Sequence, residues 1–145
     1  MDIVRLDLEH IPYVADIERL CFSSPWSEKS LELLAGNGGV GFVAVCNDTV
    51  IAYGGMMTVL DESQVTNIAT HPDFRRKGAA KMVTEALIEY GRENGIAAIY
   101  LEVRKSNLAA ITLYEGCGFL AIGERKKFYS DPTEDAVLMK KTLVE

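Results

Sequence analysis

No disulfide framework, no metal motif and no membrane-length apolar run can be drawn from this chain of 145 residues. Its cysteines, Cys21, Cys46 and Cys117, are odd in number and form no CxxC pair, which excludes a disulfide scaffold and a zinc-finger pattern. They are expected to be reduced and core-filling. The histidines, His10 and His71, have no partners at ligand spacing, so each reads as structural and no metal is implied. No apolar stretch approaches the roughly 18 residues of a membrane span, so no membrane partner is expected. The N-terminus lacks the basic-then-apolar signal pattern, and the expected compartment is the cytoplasm. Asn47-Asp48-Thr49 matches a glycosylation acceptor but, without an export signal, reads as a hairpin turn. Basic charge is also short. Fifteen Lys and Arg against 21 Asp and Glu leave a net charge of −6. That balance argues against a nucleic-acid partner and suits a basic peptide or a small amine.

What remains is globular. Apolar residues make up 48% and charged residues 25%, enough for one packed domain over 1–145 but not for two. A short strand is expected at Ile3, Val4 and Leu6. Ile11, Val14, Ala15, Ile17, Glu18 and Cys21 follow a helical rhythm, with Pro12 tolerated in the first turn. Phe22-Ser-Ser-Pro-Trp26 breaks that helix, and Ser27-Glu-Lys-Ser30 caps a shorter one reaching Leu34. Trp26 is either a buried anchor or part of a substrate wall. Gly36-Asn-Gly-Gly-Val-Gly41 matches the dinucleotide pattern GxGxxG but leaves a helix and enters a strand, the reverse of what that fingerprint needs. It reads as a flexible connector.

Strands are expected over 40–46 and 50–60, joined by a tight turn at Asn47-Asp48, and over 64–70 after a polar turn at Asp61-Glu-Ser63. A long helix follows, with Ala79, Met82, Val83, Ala86, Leu87 and Tyr90 at helical spacing and Gly95 as its stop. The next strand, 97–103, must run parallel to the one before the helix, because its crossover is helical. On it Leu101 and Val103 point one way, and Tyr100, Glu102 and Arg104 the other. Ser106-Asn107 starts a short helix that ends at Gly116 or Gly118. Two closing strands, 119–129 and 136–143, flank Ser130-Asp-Pro-Thr133. The order is βααβββαβαββ around one mixed, mostly antiparallel sheet, an α/β (α+β) class.

The organising stretch is Arg75-Arg76-Lys77-Gly78-Ala79-Ala80. A helix start leaves backbone N–H groups unpaired and carries partial positive charge. Fixed cations and a residue without a Cβ make it a place for an anion, most naturally a pyrophosphate. The plainer reading is a basic turn capping an amphipathic helix.

With Glu102 on the next strand and Tyr114 on the helix after it, this segment resembles the pyrophosphate signature Q/R-x-x-G-x-G/A of the GNAT family of acetyl-CoA-dependent N-acetyltransferases. Ala80 takes the variable last place. The likeness runs through the whole element order. Pro25-Trp-Ser-Glu-Lys29, Leu60-Asp-Glu62 with Asn67-Ile-Ala69, Leu101-Glu-Val-Arg104, Asn107-x-x-Ala110-Ile-x-Leu-Tyr-Glu115-x-x-Gly-Phe119 and Arg125-Lys-Lys-Phe-Tyr129 with Glu134-Asp-Ala136 and Met139 resemble one bacterial branch of that family. Enzymes of that branch acetylate the amino-terminal alanine of a small-subunit ribosomal protein.

The resemblance implies direct transfer in a ternary complex, with acetyl-CoA as cosubstrate and a basic amino-terminal peptide as acceptor. It implies Glu102 as general base and Tyr114 as general acid toward the departing thiolate. Ile68, Ala69 and Thr70 would lie along the pantetheine and acyl oxygen. Arg76, Gly78, Ala79 and Ala80 would hold the pyrophosphate, with Arg75 and Lys77 steering it. Asn107 would touch the cofactor or simply cap its helix. Without that role, Glu102 reads as a strand residue paired with Arg104, and Tyr114 as a core-edge tyrosine bonded to a backbone carbonyl. Trp26, Asp61, Tyr129 and Glu134 are candidates for the acceptor wall. An acetyltransferase for a small amine or antibiotic, and a non-catalytic acetyl-CoA-binding module, are the competing functions.

Overall fold

The computed structural model describes residues 1–36 and 38–144. The connector expected at 36–41 thus lies outside the described residues at Asn37. The elements are β1 (Asp2–Arg5), α1 (Ile11–Cys21), α2 (Glu28–Leu31), β2 (Gly39–Cys46), β3 (Thr49–Val59), β4 (Glu62–Thr70), α3 (Ala79–Glu93), β5 (Ala98–Arg104), α4 (Leu108–Gly116), β6 (Leu120–Tyr129) and β7 (Glu134–Thr142), with short 3-10 turns at Leu8–His10, Glu32–Ala35 and Pro72–Phe74. The expected order holds. No helix among the described residues is long and apolar enough to cross a membrane.

Local chemistry sets several boundaries. Ser27 accepts the Ser30 N–H at 3.2 Å and starts α2, which tightens into the 3-10 turn Glu32–Ala35. Asn47 and Asp48 have φ of 49° and 63°, the left-handed pair that closes a two-residue hairpin between β2 and β3. The next turn is shorter than expected. Leu60 takes φ 57°, and Glu62 and Ser63 already belong to β4. Ser63 is buried because its hydroxyl meets that of Thr58 across the hairpin at 2.8 Å. The core face of α3 also differs. Ala79, Val83, Thr84, Leu87, Ile88 and Gly91 are buried, whereas Met82 is exposed. Thr84 can turn inward because its hydroxyl donates to the Ala80 carbonyl at 2.7 Å.

All seven strands form one sheet in the order β1-β2-β3-β4-β5-β7-β6. Every pairing is antiparallel except β4–β5, where the helical crossover through α3 makes it parallel. The last strand, β7, inserts between β5 and β6. Helices cover both faces. Leu6, Ile11, Val14, Ile17, Leu31, Leu34, Val43 and Tyr53 form one cluster with α1 and α2. Leu87 and Ile88 of α3, Tyr114 of α4, and Ile99, Leu101 and Val103 of β5 form another. Adjacent glycines let helices approach from both sides at mid-sheet: a Cβ on Gly54 would meet Val83 at 2.6 Å, and one on Gly55 would meet Leu34 at 2.5 Å.

The parallel pairing is short. It runs only from Glu62↔Ala98 to Gln64↔Tyr100. Beyond that, β4 stays with β3 and β5 stays with β7, so the sheet splits. The split begins at a β-bulge: Gly55 faces Asn67 and Met56 faces Val65, leaving Thr66 extra, its hydroxyl donating to the Gly55 carbonyl at 3.1 Å. A bulge bends its strand, and here the bend carries β4 away from β5.

Candidate active site

Two adjoining cavities follow the split, and they share walls at Cys21, Phe22, Ile68, Asn107, Ala110 and Tyr114. The first, of about 550 Å³, is lined by Ile68, Ala69 and Thr70 of β4, by Arg75, Arg76 and Gly78 of the turn, and by Ala79, Ala80 and Lys81 of α3. The second, of about 840 Å³, opens on the other side of the split, between Phe22–Trp26, Glu102 and the loop running from Phe128 to Pro132.

The turn is built for an anion. Gly78 is the N-cap of α3 at φ 78°, a left-handed conformation that glycine adopts without strain. Arg76 is also left-handed, at φ 66°. The ladder of α3 opens with Met82 N–H to the Gly78 carbonyl at 3.1 Å, so the N–H groups of Ala79, Ala80 and Lys81 precede it. No acidic residue stands in the first turn. Arg75, Arg76 and Lys81 line this cavity, and no carboxylate does so among the described residues. These groups fit a pyrophosphate. Lys77 lines neither cavity, its ammonium lying 5.9 Å over the Phe74 ring.

Glu102 alternates with buried Leu101 and Val103 and faces the second cavity. Its neighbour is Arg125 on β6, Nη1 at 3.9 Å from Oε1, and not Arg104 as the plain strand reading expects. Arg104 turns instead to Glu134. Tyr114 packs edge-on against Phe119, with ring centroids 6.0 Å apart, and walls both cavities. Burial, followed by nearby Tyr129 and Cys117, pushes its phenol well above the ordinary value, so the hydroxyl keeps its proton. Tyr129 is pushed up to about 12 by burial and then by Glu102. Asn107 caps α4, accepting the Ala110 N–H at 3.2 Å, and also lines both cavities.

The remaining candidates divide. Trp26 and Tyr129 line the second cavity, and Trp26 also packs against the α1 cluster, so its two readings coexist. Asp61 lies at the β3–β4 turn, away from both cavities, its carbonyl accepting the Ala97 N–H. Glu134 lines neither cavity but joins Arg104 and accepts the Ser106 N–H at 2.7 Å. His10 and His71 serve local turns, each Nδ1 accepting a backbone N–H, from Asp7 and Asp73. The three cysteines are free and half-buried, each against a different apolar cluster.

One buried carboxylate next to the site escaped the reading of the sequence. Glu18 of α1 is fully buried beneath the second cavity. Its carboxylate accepts hydrogen bonds from the Tyr53 hydroxyl, from Asn67 Nδ2 at 2.6 Å and from the Trp26 N–H at 2.8 Å. The available signal was a carboxylate placed in the apolar rhythm of Ile11, Val14, Ala15 and Ile17.

Comparison with known proteins matches residues 11–119 to the model of the acetyltransferase (GNAT) family. The [ribosomal protein bS18]-alanine N-acetyltransferase of Escherichia coli K12 is 37% identical over 139 residues, 94% of each chain. A putative enzyme of the same name from Bacillus subtilis is 36% identical over 144 residues, covering 97% of this chain and 95% of its own. The crystal structure of the Escherichia coli ribosomal-protein-S18-alanine N-acetyltransferase superposes with a TM-score of 0.91 at 35% identity, over 99% of this chain and 94% of that one.

Proposed function

The chain belongs to the GNAT acetyltransferase family, and from that premise we propose that it acetylates the amino-terminal α-amine of a small-subunit ribosomal protein, at an alanine. Both named relatives carry that activity in their names and match nearly end to end. Acetyl-CoA is the donor, a basic amino-terminal peptide is the acceptor, and the cytoplasm is the place of action. The observation that carries this reading is the separation of charge along one groove. Cations and helix N–H groups stand at one end; at the other stand Glu102 and Asp131, with Arg104 paired to Glu134, and Tyr114 walls both. An anionic donor and a cationic acceptor each find the opposite sign.

Acetyl-CoA supplies the acyl group as an activated thioester; everything else falls to the chain. The N–H groups of Ala79, Ala80 and Lys81, with Arg75 and Arg76, bind the pyrophosphate. The edge of β4 over Ile68–Thr70 (freed from β5 by the bulge at Thr66) pairs with the extended pantetheine arm. A backbone N–H there also stabilises the developing oxyanion. Glu102, directly or through water, accepts the proton of the acceptor ammonium, whose reference pKa of about 7.7–8.0 makes it easy to remove. The freed lone pair attacks the acyl carbon, the new C–N bond forms, and the C–S bond breaks. The electron pair leaves on sulfur, where Tyr114 donates a hydrogen bond, and the second proton shed by the acylated nitrogen passes to the thiolate, directly or through water, to give the free thiol of CoA. A phenol raised this far is a weaker acid than a thiol, so Tyr114 stabilises the thiolate more than it protonates it.

The test is mass spectrometry of an Ala-Arg-initiated peptide after incubation with enzyme and acetyl-CoA. The expected gain is about 42 Da, one acetyl group located on the α-amine, and it accumulates roughly 100-fold more slowly at pH 7 in Glu102→Gln. A gain only on small amines would move the function to the small-molecule class. Acetyl-CoA binding without transfer to any acceptor would support a non-catalytic module.

A further inference from the structure

Glu18 occupies a position where an apolar side chain would pack at lower cost. It lies on the core face of α1, with none of its surface exposed, among Val14, Ile17 and Leu31. A buried carboxylate is costly unless hydrogen bonds replace its water. Its bonding partners here are all neutral donors: a phenol on β3, an amide side chain on β4 and a backbone N–H before α2. The nearest cation in sequence, Arg19, turns outward to Asp16.

Two of those donors belong to different parts of one wall. Trp26 and Asn67 both line the second cavity, whereas Glu18 lines neither cavity. Asn67 directly follows the bulged Thr66, where β4 leaves β5. One helical turn further along α1, the Cys21 thiol donates to the Thr70 carbonyl at 3.3 Å. Helix α1 is therefore tied to the open edge of β4 at two points, and the Trp26 backbone is tied to the first of them. A polar network with every member paired fixes one arrangement of the elements it joins.

We infer that Glu18 is a positioning residue for the acceptor: its buried carboxylate fixes the spacing between the Trp26 segment and β4 and so sets the width of the acceptor cavity. This rests on the reading of that cavity as the acceptor site. The cations of the donor cavity, Arg75, Arg76 and Lys81, come from the turn and α3, and none of them bonds to Glu18, so the anchoring of the donor does not depend on it.

The test uses Glu18→Gln, which keeps shape but turns a donor N–H₂ toward groups that are themselves donors. Trp26 is the only tryptophan, so its fluorescence reports on this wall alone. The expected result is a red-shifted Trp26 emission in the folded protein. With it, the acceptor KM rises roughly tenfold, kcat falls by less than about threefold, and the acetyl-CoA Kd stays within about twofold. Unchanged emission and acceptor KM in a folded variant, or an equal loss of affinity for both substrates, would overturn the inference. If Glu18→Gln does not fold, Tyr53→Phe removes a single donor and leaves two. It should move emission and acceptor KM in the same direction by a smaller factor, and no movement of either would overturn the proposal. Wild-type enzyme that acetylates no peptide would refute the acceptor reading instead. The emission arm then decides the role of Glu18, an unshifted Trp26 being the negative answer.

Discussion

Arg104 on β5 and Glu134 at the start of β7 meet with Nη1 3.3 Å from Oε1, and this pair holds down the loop that closes the second cavity. Arg104 also donates to the Ser130 and Pro132 carbonyls, at 2.9 Å each, and its guanidinium stacks 4.6 Å from the Tyr129 ring centroid. A lysine has no planar fork and cannot reproduce this set. Arg104→Lys should therefore loosen the Ser130–Pro132 wall and raise the acceptor KM about five- to tenfold, with acetyl-CoA affinity unchanged. Steady-state kinetics with each substrate varied separately would check this. A parallel loss of acetyl-CoA affinity would show that the loop serves the donor as well.

The same pair gives a pH dependence with a defined sign. The Ser106 hydrogen bond, opposed by desolvation and helped by Arg104, holds the Glu134 carboxyl below its usual 4.5. A carboxyl lowered on folding stabilises the fold above its ordinary value and loses that contribution as pH falls through the lowered one. Stability should decline on acidification below about pH 4.5, and the decline should be shallower in Glu134→Gln. Denaturant midpoints measured across that range for both proteins would decide, and identical slopes would remove Glu134 from the account.

Glu102→Gln should lower the transfer rate by roughly 100-fold at pH 7, the low end of a general base's contribution. The deficit should shrink above about pH 8, where much of the acceptor amine is already neutral. Acetyl-CoA affinity should hold, since Glu102 lines only the second cavity. Full activity, or loss of acetyl-CoA binding instead of rate, would reject its role as base.

How much of this was legible in the sequence depends on how local the determining contacts are. Element order, the Ser27 and Asn107 caps, the hairpin at Asn47-Asp48 and the glycine at the start of α3 follow from neighbouring residues, and all were readable. The parallel β4–β5 pairing was readable too, because the crossover helix allows no other direction. Insertion of β7 between β5 and β6 left no local mark, since strand order is decided by long-range pairing. The bulge at Thr66 was equally silent: it is defined against Gly55, eleven residues upstream on another strand. The plain strand reading of Glu102 set Arg104 beside it through strand proximity, but that guanidinium meets two carbonyls and a carboxylate thirty residues away. Glu18 was visible as a charge on an apolar face, yet its donors lie eight, 35 and 49 residues along the chain, and helical periodicity cannot indicate them.

Tyr114→Phe removes one hydroxyl and leaves the ring packed against Phe119, so the fold should tolerate it. The expected effect is a fall in kcat of about ten- to 100-fold with little change in acetyl-CoA KM. Because burial raises the phenol from its ordinary 10, wild-type enzyme should show no loss of rate from Tyr114 ionisation up to pH 10. The pH–rate profiles of the two proteins should therefore keep the same shape on the alkaline side. Wild-type turnover by the variant on the true acceptor would dismiss the hydroxyl from the chemistry.

Gly78 separates stability from binding. A Cβ there would meet nothing within 4 Å, so the cost of substitution is conformational, from φ 78°, rather than steric. Gly78→Ala should destabilise the fold by about 1 kcal/mol and weaken acetyl-CoA binding only a few-fold. Gly78→Glu meets the same backbone strain, but its charge at a helix N-terminus offsets part of that cost. Its unfolding midpoint should match or exceed that of the alanine variant. Its acetyl-CoA affinity should nevertheless be at least about 30-fold weaker than the alanine variant's, because the carboxylate competes with the pyrophosphate for the same N–H groups. Calorimetric titration and chemical denaturation of both variants would check the two arms separately. A glutamate variant that binds acetyl-CoA as the alanine variant does would place the pyrophosphate somewhere other than the start of α3.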